Sequence, residues 1–211
     1  MSDAEGCRLY LITPPQLDAP EDFAKKLPAV IEAGDVACVQ LRLKGSNDDQ
    51  VLKTVDLLLT ICEQTDTALI LNDRPDLAAK SGCDGVHIGP EDMPYSEARA
   101  IMGDEAAIGV SCGASRHLAM TLADKGADYV AFGAFFETQT KENTSTATTE
   151  LLEIWSQTTN VPVVAIGGIT PENCGPLVTA GADFLAVSAG VWNHPDGPKT
   201  AVRLFSERMA E

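Results

Sequence analysis

Eight short apolar runs alternate with helical patterns along the chain, and this alternation limits the possible folds more than any other sequence feature. Runs rich in Val, Ile and Leu that are apolar on both faces are typical of buried strands in a parallel sheet. The runs are Leu9 to Ile12, Val36 to Leu41, Ala68 to Leu71, Gly85 to Ile88, Ala106 to Val110, Tyr129 to Phe132, Val161 to Ile166 and Phe184 to Val187. The helical patterns between them include Asp22 to Ala33, Asp48 to Glu63, Ser115 to Lys125 and Glu150 to Gln157.

This order of elements predicts an α/β fold, a (β/α)8 TIM barrel. Eight units in 211 residues give about 26 residues per unit, which is short but sufficient for such a barrel. Four helix ends repeat a Gly that is followed by an Asp just before the next strand, ending at Asp35, Asp84, Asp128 and Asp183. No linker or low-complexity tract interrupts the chain, so we expect one domain over residues 1–211.

The alternative architecture is a doubly wound open sheet. Such a sheet usually carries a glycine-rich phosphate fingerprint in its first strand-to-helix turn. Here that turn reads Thr13-Pro14-Pro15-Gln16 and contains no glycine, which favours the barrel.

Composition excludes several classes of partner and location. The formal net charge of −16 disfavours binding to nucleic acids and to anionic membranes. We expect no membrane span, because no apolar stretch approaches about 20 residues, and no signal peptide, because the first residues are acidic. Six cysteines without a Cys-x-x-Cys pair predict inert thiols in a reducing compartment, the cytoplasm. Small-molecule substrates are then the expected partners, and homo-oligomerisation stays open.

A cationic cluster is predicted where the second strand ends. In the segment from Val39 to Lys44, strand periodicity puts Gln40, Arg42 and Lys44 on one face. Active sites of these barrels lie at the carboxyl ends of the strands. Two cations and an amide there would bind a polyanion, and Arg42 could bind phosphate through two parallel hydrogen bonds. The alternative is an ordinary solvated strand end.

Two carboxylates follow the third and fourth strands. Asp73 comes directly after Asn72, and Asp92 follows the strand that contains His87. Carboxylates beside a cationic cluster could hold Mg²⁺ when substrate phosphates and water complete its shell. Both residues could instead serve only as turn or helix caps. We interpret His87 as a core residue or as one that supports the site from within the strand.

Later loops contain features that suit phosphate. After the sixth strand, Thr138, Thr140 and Lys141 lie in a long polar loop that resembles a lid, although an ordinary solvated loop is the alternative. The Gly167-Gly168 pair ends the seventh strand, and Val187-Ser188 ends the eighth. These two loops form the recurrent phosphate site of such barrels, and bare glycines let an anion approach the backbone.

A different chemistry is suggested by the segment Gly109-Val110-Ser111-Cys112-Gly113. It fits the Gly-x-Ser-x-Gly nucleophile elbow of hydrolases, with Asp183 and His194 downstream. No His-Gly-Gly-Gly oxyanion segment accompanies it, and a hydrolase leaves the charged strand ends unexplained. In a barrel, Ser111 is simply a polar residue that ends the fifth strand and can hydrogen-bond a ligand.

Taken in order, these segments resemble the thiamine-phosphate synthase family from Leu9 to about Trp192. The most specific segments are Gln40-Leu41-Arg42-Leu43-Lys44, Leu71-Asn72-Asp73-Arg74, Gly85-Val86-His87-Ile88-Gly89 with Glu91-Asp92, Thr138-Gln139-Thr140-Lys141, and Val163-Val164-Ala165-Ile166-Gly167-Gly168-Ile169. The family joins hydroxymethylpyrimidine diphosphate to thiazole phosphate, releases pyrophosphate, and is thought to react by dissociation.

The resemblance also implies roles for individual residues. It implies that the diphosphate is held by Gln40, Arg42, Lys44, Asn72 and Lys141, and that Mg²⁺ is held by Asp73 and Asp92. Ser111 would lie near the pyrimidine. The thiazole phosphate would be held by Thr138, Thr140, Gly168, Val187 and Ser188. On this basis Arg42, Lys44, Ser111 and Lys141 are the expected catalytic residues.

A few positions depart from the family pattern. Gly113 stands where many relatives carry His, Pro90 where Gln is common, Glu137 where Pro is common, and Thr13-Pro14 where Thr-Asp is usual. None removes an expected metal or diphosphate ligand. Three alternatives stay open: a thiazole tautomerase, which shares the barrel but not the reaction; a diverged paralogue with another phosphorylated ligand; and a non-catalytic binding protein.

Overall fold

Eight parallel strands close into one barrel in sequence order, so the predicted (β/α)8 fold is confirmed. The computed structural model describes residues 6–137 and 147–210. The strands are β1 (Arg8–Ile12), β2 (Val36–Leu41), β3 (Ala68–Asn72), β4 (Gly85–Ile88), β5 (Ala107–Gly113), β6 (Tyr129–Gly133), β7 (Val163–Ile166) and β8 (Phe184–Val187). The helices are α1 (Pro20–Ile31), α2 (Asp48–Gln64), α3 (Pro75–Ser81), α4 (Tyr95–Met102), α5 (Arg116–Asp124), α6 (Thr149–Thr158), α7 (Gly175–Thr179), α8 (Ala189–Trp192) and α9 (Pro198–Met209).

Local signals explain where several of these elements begin. The Asn47 side chain accepts from the Gln50 amide, and the Gln50 side chain accepts from the Asn47 amide, a capping box that starts α2. Proline opens α1, α3 and α9, where its missing N–H is no loss. The largest departure from prediction is β5, which runs to Gly113 through a register shift between Ser111 and Gly113.

Strand side chains divide into two layers by their alternation. One set packs against the helices and is fully buried, for example Leu9, Leu41 and Leu185. The other set fills the barrel interior, where Tyr10, Ile70 and Tyr129 pack together. Because Val187 belongs to the helix-facing set, only its backbone can contribute to the barrel mouth.

The repeated Asp that precedes alternate strands makes a repeated contact at the amino end of the barrel. Asp84 Oδ2 accepts from the Leu69 amide, Asp128 Oδ2 from the Ile108 amide, and Asp183 Oδ2 from the Val163 amide, each at 2.7 Å. Asp35 differs, because its carboxylate accepts from Arg8 Nε at 2.7 Å instead. Three of the four repeats therefore join a pair of neighbouring strands through one carboxylate.

A shallow cleft of about 460 Å³ lies at this same amino end, lined in part by Arg8, Glu32 and Asp35. It is remote from the strand ends that carry the predicted site residues. All six cysteines are free thiols. Burial raises the pKa of Cys7, Cys62 and Cys112 to about 12, in line with the predicted inert thiols. Within the described residues, no helix is long and apolar enough to cross a membrane.

Candidate active site

The two predicted cations lie just beyond β2. The Arg42 amide donates to Thr13 Oγ1 at 3.0 Å, and the Lys44 amide donates to the Pro15 carbonyl at 2.9 Å. Arg42 is half-buried and Lys44 is exposed, and neither forms an ion pair within residues 6–137 and 147–210. Backbone contacts with the loop after β1 therefore fix this segment, while both cationic groups stay available to an anion.

Thr13 connects the ends of three strands, a role that the sequence did not reveal. It is 1% exposed; its amide donates to the Gln40 carbonyl, and its hydroxyl accepts from the Arg42 amide. Its carbonyl accepts from Ser188 Oγ at 3.4 Å. The end of β1 thus holds the ends of β2 and β8 together at the mouth.

The two predicted metal ligands follow the paired strands β3 and β4. Asn72 lies opposite His87 in the register, and the Asp73 amide donates to the His87 carbonyl at 2.8 Å. Asp73 is exposed and has a left-handed backbone, with φ of 65°. Asp92 is half-buried, and its Oδ2 accepts from the Gly89 amide at 2.7 Å. The structure therefore carries both carboxylates at the carboxyl ends of neighbouring strands.

The turn after β7 is held by Asn173. Its side chain accepts from the Thr170 amide at 2.8 Å and donates to the Gly168 carbonyl at 2.9 Å. Gly168 has φ of 63°, and a Cβ there would lie 2.4 Å from the Glu137 carbonyl oxygen. Glycine is thus required at position 168 for two reasons that do not involve a ligand: the left-handed backbone, and the close approach of the loop after β6.

The loop after β6 leaves and re-enters the barrel at adjoining points. The Ala147 amide donates to the Ala134 carbonyl at 2.9 Å, and the Phe136 amide donates to the Gly167 carbonyl at 3.1 Å. Both alanines are buried. The predicted residues Thr138, Thr140 and Lys141 lie outside the described residues, between these two fixed points.

A continuous chain of hydrogen bonds crosses the barrel interior beneath the mouth. Gln40 Nε2 donates to the Tyr10 hydroxyl at 2.9 Å, and the Tyr10 and Tyr129 hydroxyls are 2.8 Å apart. The Tyr129 hydroxyl lies 3.1 Å from His87 Nδ1, and His87 Nε2 lies 2.8 Å from Ser111 Oγ. All of these residues except the half-buried Ser111 are buried. Gln40 thus lies in this chain, below the two cations with which the sequence grouped it.

Sequence reasoning missed Tyr10 and Tyr129, although it interpreted His87 as a core residue or one that supports the site, and His87 is buried. One signal was available for Tyr129. Gly109 lies opposite Tyr129 in the register, and a Cβ at Gly109 would lie 1.8 Å from the Tyr129 ring. A glycine inside a strand often marks such a close approach.

The nucleophile-elbow alternative is excluded by position. Ser111 Oγ contacts His87 rather than His194, whose Nδ1 accepts from the Asp196 amide. Asp183 bonds Val163 at the amino end of the barrel, the end opposite Ser111. No Ser-His-Asp arrangement therefore exists among these three residues.

Comparisons with known proteins identify the family of this chain. The model of the family described as thiamine monophosphate synthase matches residues 9–191. A thiamine-phosphate synthase from Rhodospirillum centenum is 60% identical, over 96% of this chain and 98% of that protein. One from Hyphomonas neptunium is 52% identical, over 94% and 92% of the two chains.

A solved structure extends the likeness to three dimensions. The thiamine phosphate pyrophosphorylase from Pyrococcus furiosus superposes with a TM-score of 0.84 at 28% identity, covering 96% of this chain and 95% of that one. The order of strand-end motifs, the barrel and these relatives lead to one conclusion. The chain belongs to the thiamine monophosphate synthase family.

Proposed function

We propose that this protein is a transferase that joins hydroxymethylpyrimidine diphosphate to thiazole phosphate, giving thiamine phosphate and pyrophosphate. The single observation that carries the proposal is the 60% identity to a thiamine-phosphate synthase over almost the full length of both chains. Arg42 and Lys44 follow β2 and form no ion pair within residues 6–137 and 147–210, and Asp73 and Asp92 follow β3 and β4. This set of charges suits a substrate that carries several negative charges together with a metal ion. We further propose that the reaction takes place in the cytoplasm.

Cations at the end of β2 address the main electrostatic difficulty. A protein with a formal charge of −16 must bring two anionic substrates together. We assign the diphosphate to Arg42, Lys44, Asn72 and Lys141, with Gln40 reaching the substrate from below. Arg42 can bind the diphosphate through two hydrogen bonds, whereas Lys44 acts as a point charge. Negative charge grows on the diphosphate as it departs, so these groups bind the transition state more tightly than the substrate.

The carboxylates fit a magnesium ion that is shared with the substrate. No cluster of three or more His, Cys, Asp or Glu side chains suited to a metal occurs within 6–137 and 147–210. Two carboxylates with phosphate oxygens and water are the usual shell of Mg²⁺, which keeps several waters. We assign the ion to Asp73 and Asp92, where it would supply positive charge to the departing diphosphate.

The bond changes need no strong base. In the proposed dissociative reaction, the bond between the pyrimidine methylene carbon and the diphosphate oxygen breaks, and the electron pair leaves with pyrophosphate. The thiazole nitrogen then attacks the resulting pyrimidinylmethyl cation and forms the carbon–nitrogen bond. His87 suits this scheme because both of its ring nitrogens lie against the neutral hydroxyls of Tyr129 and Ser111. The protein's task is therefore to position the partners and stabilise charge.

The thiazole phosphate is assigned to the loops after β6, β7 and β8. We propose that Thr138, Thr140 and Gly168, with the backbone of Val187 and the hydroxyl of Ser188, hold it. Ser188 is half-buried, and its hydroxyl donates to the carbonyl of Thr13, the residue whose own hydroxyl accepts from the Arg42 amide.

One experiment tests the proposed function directly. The purified protein is incubated with both substrates and Mg²⁺, and thiamine phosphate and pyrophosphate are measured by mass spectrometry and a pyrophosphate assay. We expect equal amounts of both products, and none without Mg²⁺ or without either substrate. Absence of product with all three present would overturn the proposal.

A further inference from the structure

Among the described contacts, the chain of hydrogen bonds from Gln40 to Ser111 has one direction in which both buried phenol protons find an acceptor. The Gln40 amide nitrogen can only donate, so the Tyr10 oxygen accepts at this contact. Tyr10 has a single proton left to give, and its other neighbour is the Tyr129 hydroxyl at 2.8 Å. Tyr10 therefore donates to Tyr129, because otherwise a buried hydroxyl proton would have no acceptor.

The same reasoning fixes the tautomer of His87. Tyr129 accepts from Tyr10, so its own proton goes to His87 Nδ1 at 3.1 Å. Nδ1 is then the acceptor nitrogen of a neutral imidazole, and Nε2 carries the proton. Nε2 donates to Ser111 Oγ at 2.8 Å, which leaves the Ser111 proton free to point into the mouth.

Burial keeps the hydroxyls of Tyr10 and Tyr129 protonated, as this chain of hydrogen bonds requires. Burial raises the pKa of both Tyr10 and Tyr129 far above ordinary values, so each phenol keeps one proton at any working pH. The two rings pack edge-to-face at 5.9 Å, and the His87 ring stacks on Tyr129 at 5.6 Å. Ring packing therefore holds the hydroxyls in line, independently of any ligand.

Gln40, at the other end of this chain of hydrogen bonds, offers a ligand an acceptor, whereas Ser111 offers a donor. Because its nitrogen faces Tyr10, its Oε1 is the group left for a ligand. Within residues 6–137 and 147–210, Gln40 Nε2 has Tyr10 as its partner, and no described hydrogen bond ends on Gln40 Oε1. Gln40 is 3% exposed, so only a ligand bound within the mouth could meet this oxygen.

We propose that Tyr10 and Tyr129 are positioning residues that order the protons of this chain, so that Gln40 offers an acceptor and Ser111 a donor to one ring. An aminopyrimidine matches this pair, since its amino group donates and the adjacent ring nitrogen accepts. In the corresponding oxo-pyrimidine a carbonyl accepts and the adjacent ring N–H donates. It therefore presents an acceptor to Gln40 Oε1 and a donor to the Ser111 hydroxyl, and neither contact is favourable. The inference rests on the proposed function for the identity of the ring.

The first experiment reads the tautomer without any substrate. In ¹⁵N-labelled protein at a pH where imidazole is neutral, two-bond ¹H–¹⁵N spectra distinguish protonated from unprotonated ring nitrogens. The chain has three histidines, so His117→Gln and His194→Gln variants identify the His87 signals. We expect a bare Nδ1 and a protonated Nε2 for His87 in the native protein. The Tyr129→Phe variant, which lacks the donor to Nδ1, should show a mixture of both tautomers.

The second experiment measures discrimination between the two rings. We compare kcat/KM for the aminopyrimidine diphosphate and its oxo analogue. Tyr129→Phe should reduce the preference for the amino form by about tenfold, the effect of one hydrogen bond between uncharged groups. Tyr95→Phe is the matched control. Tyr95 is also buried, but its hydroxyl donates to the Gly126 carbonyl and takes no part in the chain of hydrogen bonds from Gln40 to Ser111. The control should keep the native preference.

Two results would overturn the inference. One is a proton on His87 Nδ1 in the native protein, which reverses the direction of the chain. The other is a Tyr129→Phe variant that melts cooperatively yet keeps both the native tautomer and the native preference. If that variant does not fold, the native spectrum still decides the direction. Because the spectra need no substrate, failure of the synthase assay would leave this test intact.

Discussion

Asp92 Oδ2 accepts a hydrogen bond from the Gly89 amide at 2.7 Å, so one oxygen of the expected metal ligand is already engaged by its own turn. The Asp92 amide also donates back to the Gly89 carbonyl at 3.2 Å. This pair of bonds fixes the carboxylate at the end of β4 and leaves Oδ1 for a cation. It also means that deletion of the side chain disturbs the turn and the metal site together.

Asp92→Asn separates these two roles. The Asn oxygen can still accept from Gly89, but the negative charge is lost, so Mg²⁺ should bind far more weakly. We expect most activity to be lost and the melting temperature to stay close to that of the native protein. Activity as a function of Mg²⁺ concentration checks this. The exposed Asp49→Asn variant serves as the control, and native Mg²⁺ dependence in Asp92→Asn would refute the assignment.

Lys141→Ala should lower kcat by about 10²-fold. A cation that stabilises the negative charge growing on the departing diphosphate lowers the transition-state free energy by about 3 kcal/mol. The unfolding temperature should barely change, because the sequence predicts that Lys141 lies in a long polar loop. Steady-state kinetics and thermal melting measure both effects, with exposed Lys125→Ala as the control. A normal kcat with only a modest KM change would show that the loop does not act in the transition state.

Gly168→Ala should impair the thiazole phosphate more than the diphosphate. The new methyl group meets the Glu137 carbonyl and requires a left-handed backbone, so the loop after β6 must shift. We expect the KM for thiazole phosphate to rise by about tenfold or more, since this turn is the assigned phosphate site. Initial rates with each substrate varied separately provide the test. Equal effects on both substrates would place the phosphate elsewhere.

Gly109→Ala should destabilise the barrel by about 3 kcal/mol, because the added methyl group overlaps the Tyr129 ring. Gly175→Ala is the control: a Cβ there has no neighbour within 4 Å, so we expect a change within about 0.5 kcal/mol. Urea unfolding measures both variants. Equal stabilities would mean that the ring moves aside without cost.

Asp84→Ala should lower stability by about 2 kcal/mol and leave kcat unchanged. It removes the acceptor of the buried Leu69 amide, and this contact lies at the end of the barrel opposite the mouth. Asp84→Asn keeps an acceptor and should lose less. Urea unfolding and kcat are measured on the same preparations, and a large fall in kcat would contradict the separation of stability from catalysis.

Much of the barrel could be predicted because the strands are largely apolar, and a glycine or a polar residue ends each strand or follows it directly. The bounds of β2, β4 and β8 agree with the sequence reading to the residue. The bulge that lengthens β5 could not be predicted, because it depends on pairing with β6. Likewise, the repeated Asp before alternate strands was visible, but its partner amides lie on neighbouring strands 15 to 20 residues away.

The candidate site likewise contains residues that the sequence could reveal and residues that only the folded structure reveals. The charged residues at strand ends could be picked out because they follow buried apolar runs, whereas the structural contact of Asp92 with the Gly89 amide could not. The phenols of Tyr10 and Tyr129 resemble core hydrophobes in an apolar run, and their contact joins residues 119 positions apart. Gly168 was expected to leave room for an anion, and the structure adds a packing reason that no local pattern contains.

The barrel closes only when β8 pairs with β1, and the contacts at that seam join residues up to 180 positions apart, from Ile12 to Trp192. During synthesis at 5–20 residues per second, the full chain takes about 10 s or more. Throughout most of that time the hydrogen-bonding edge of β1 has no β8 to cover it, and such an edge can pair with other chains. The hazard of pairing with other chains therefore lasts until β8 emerges and covers the edge of β1.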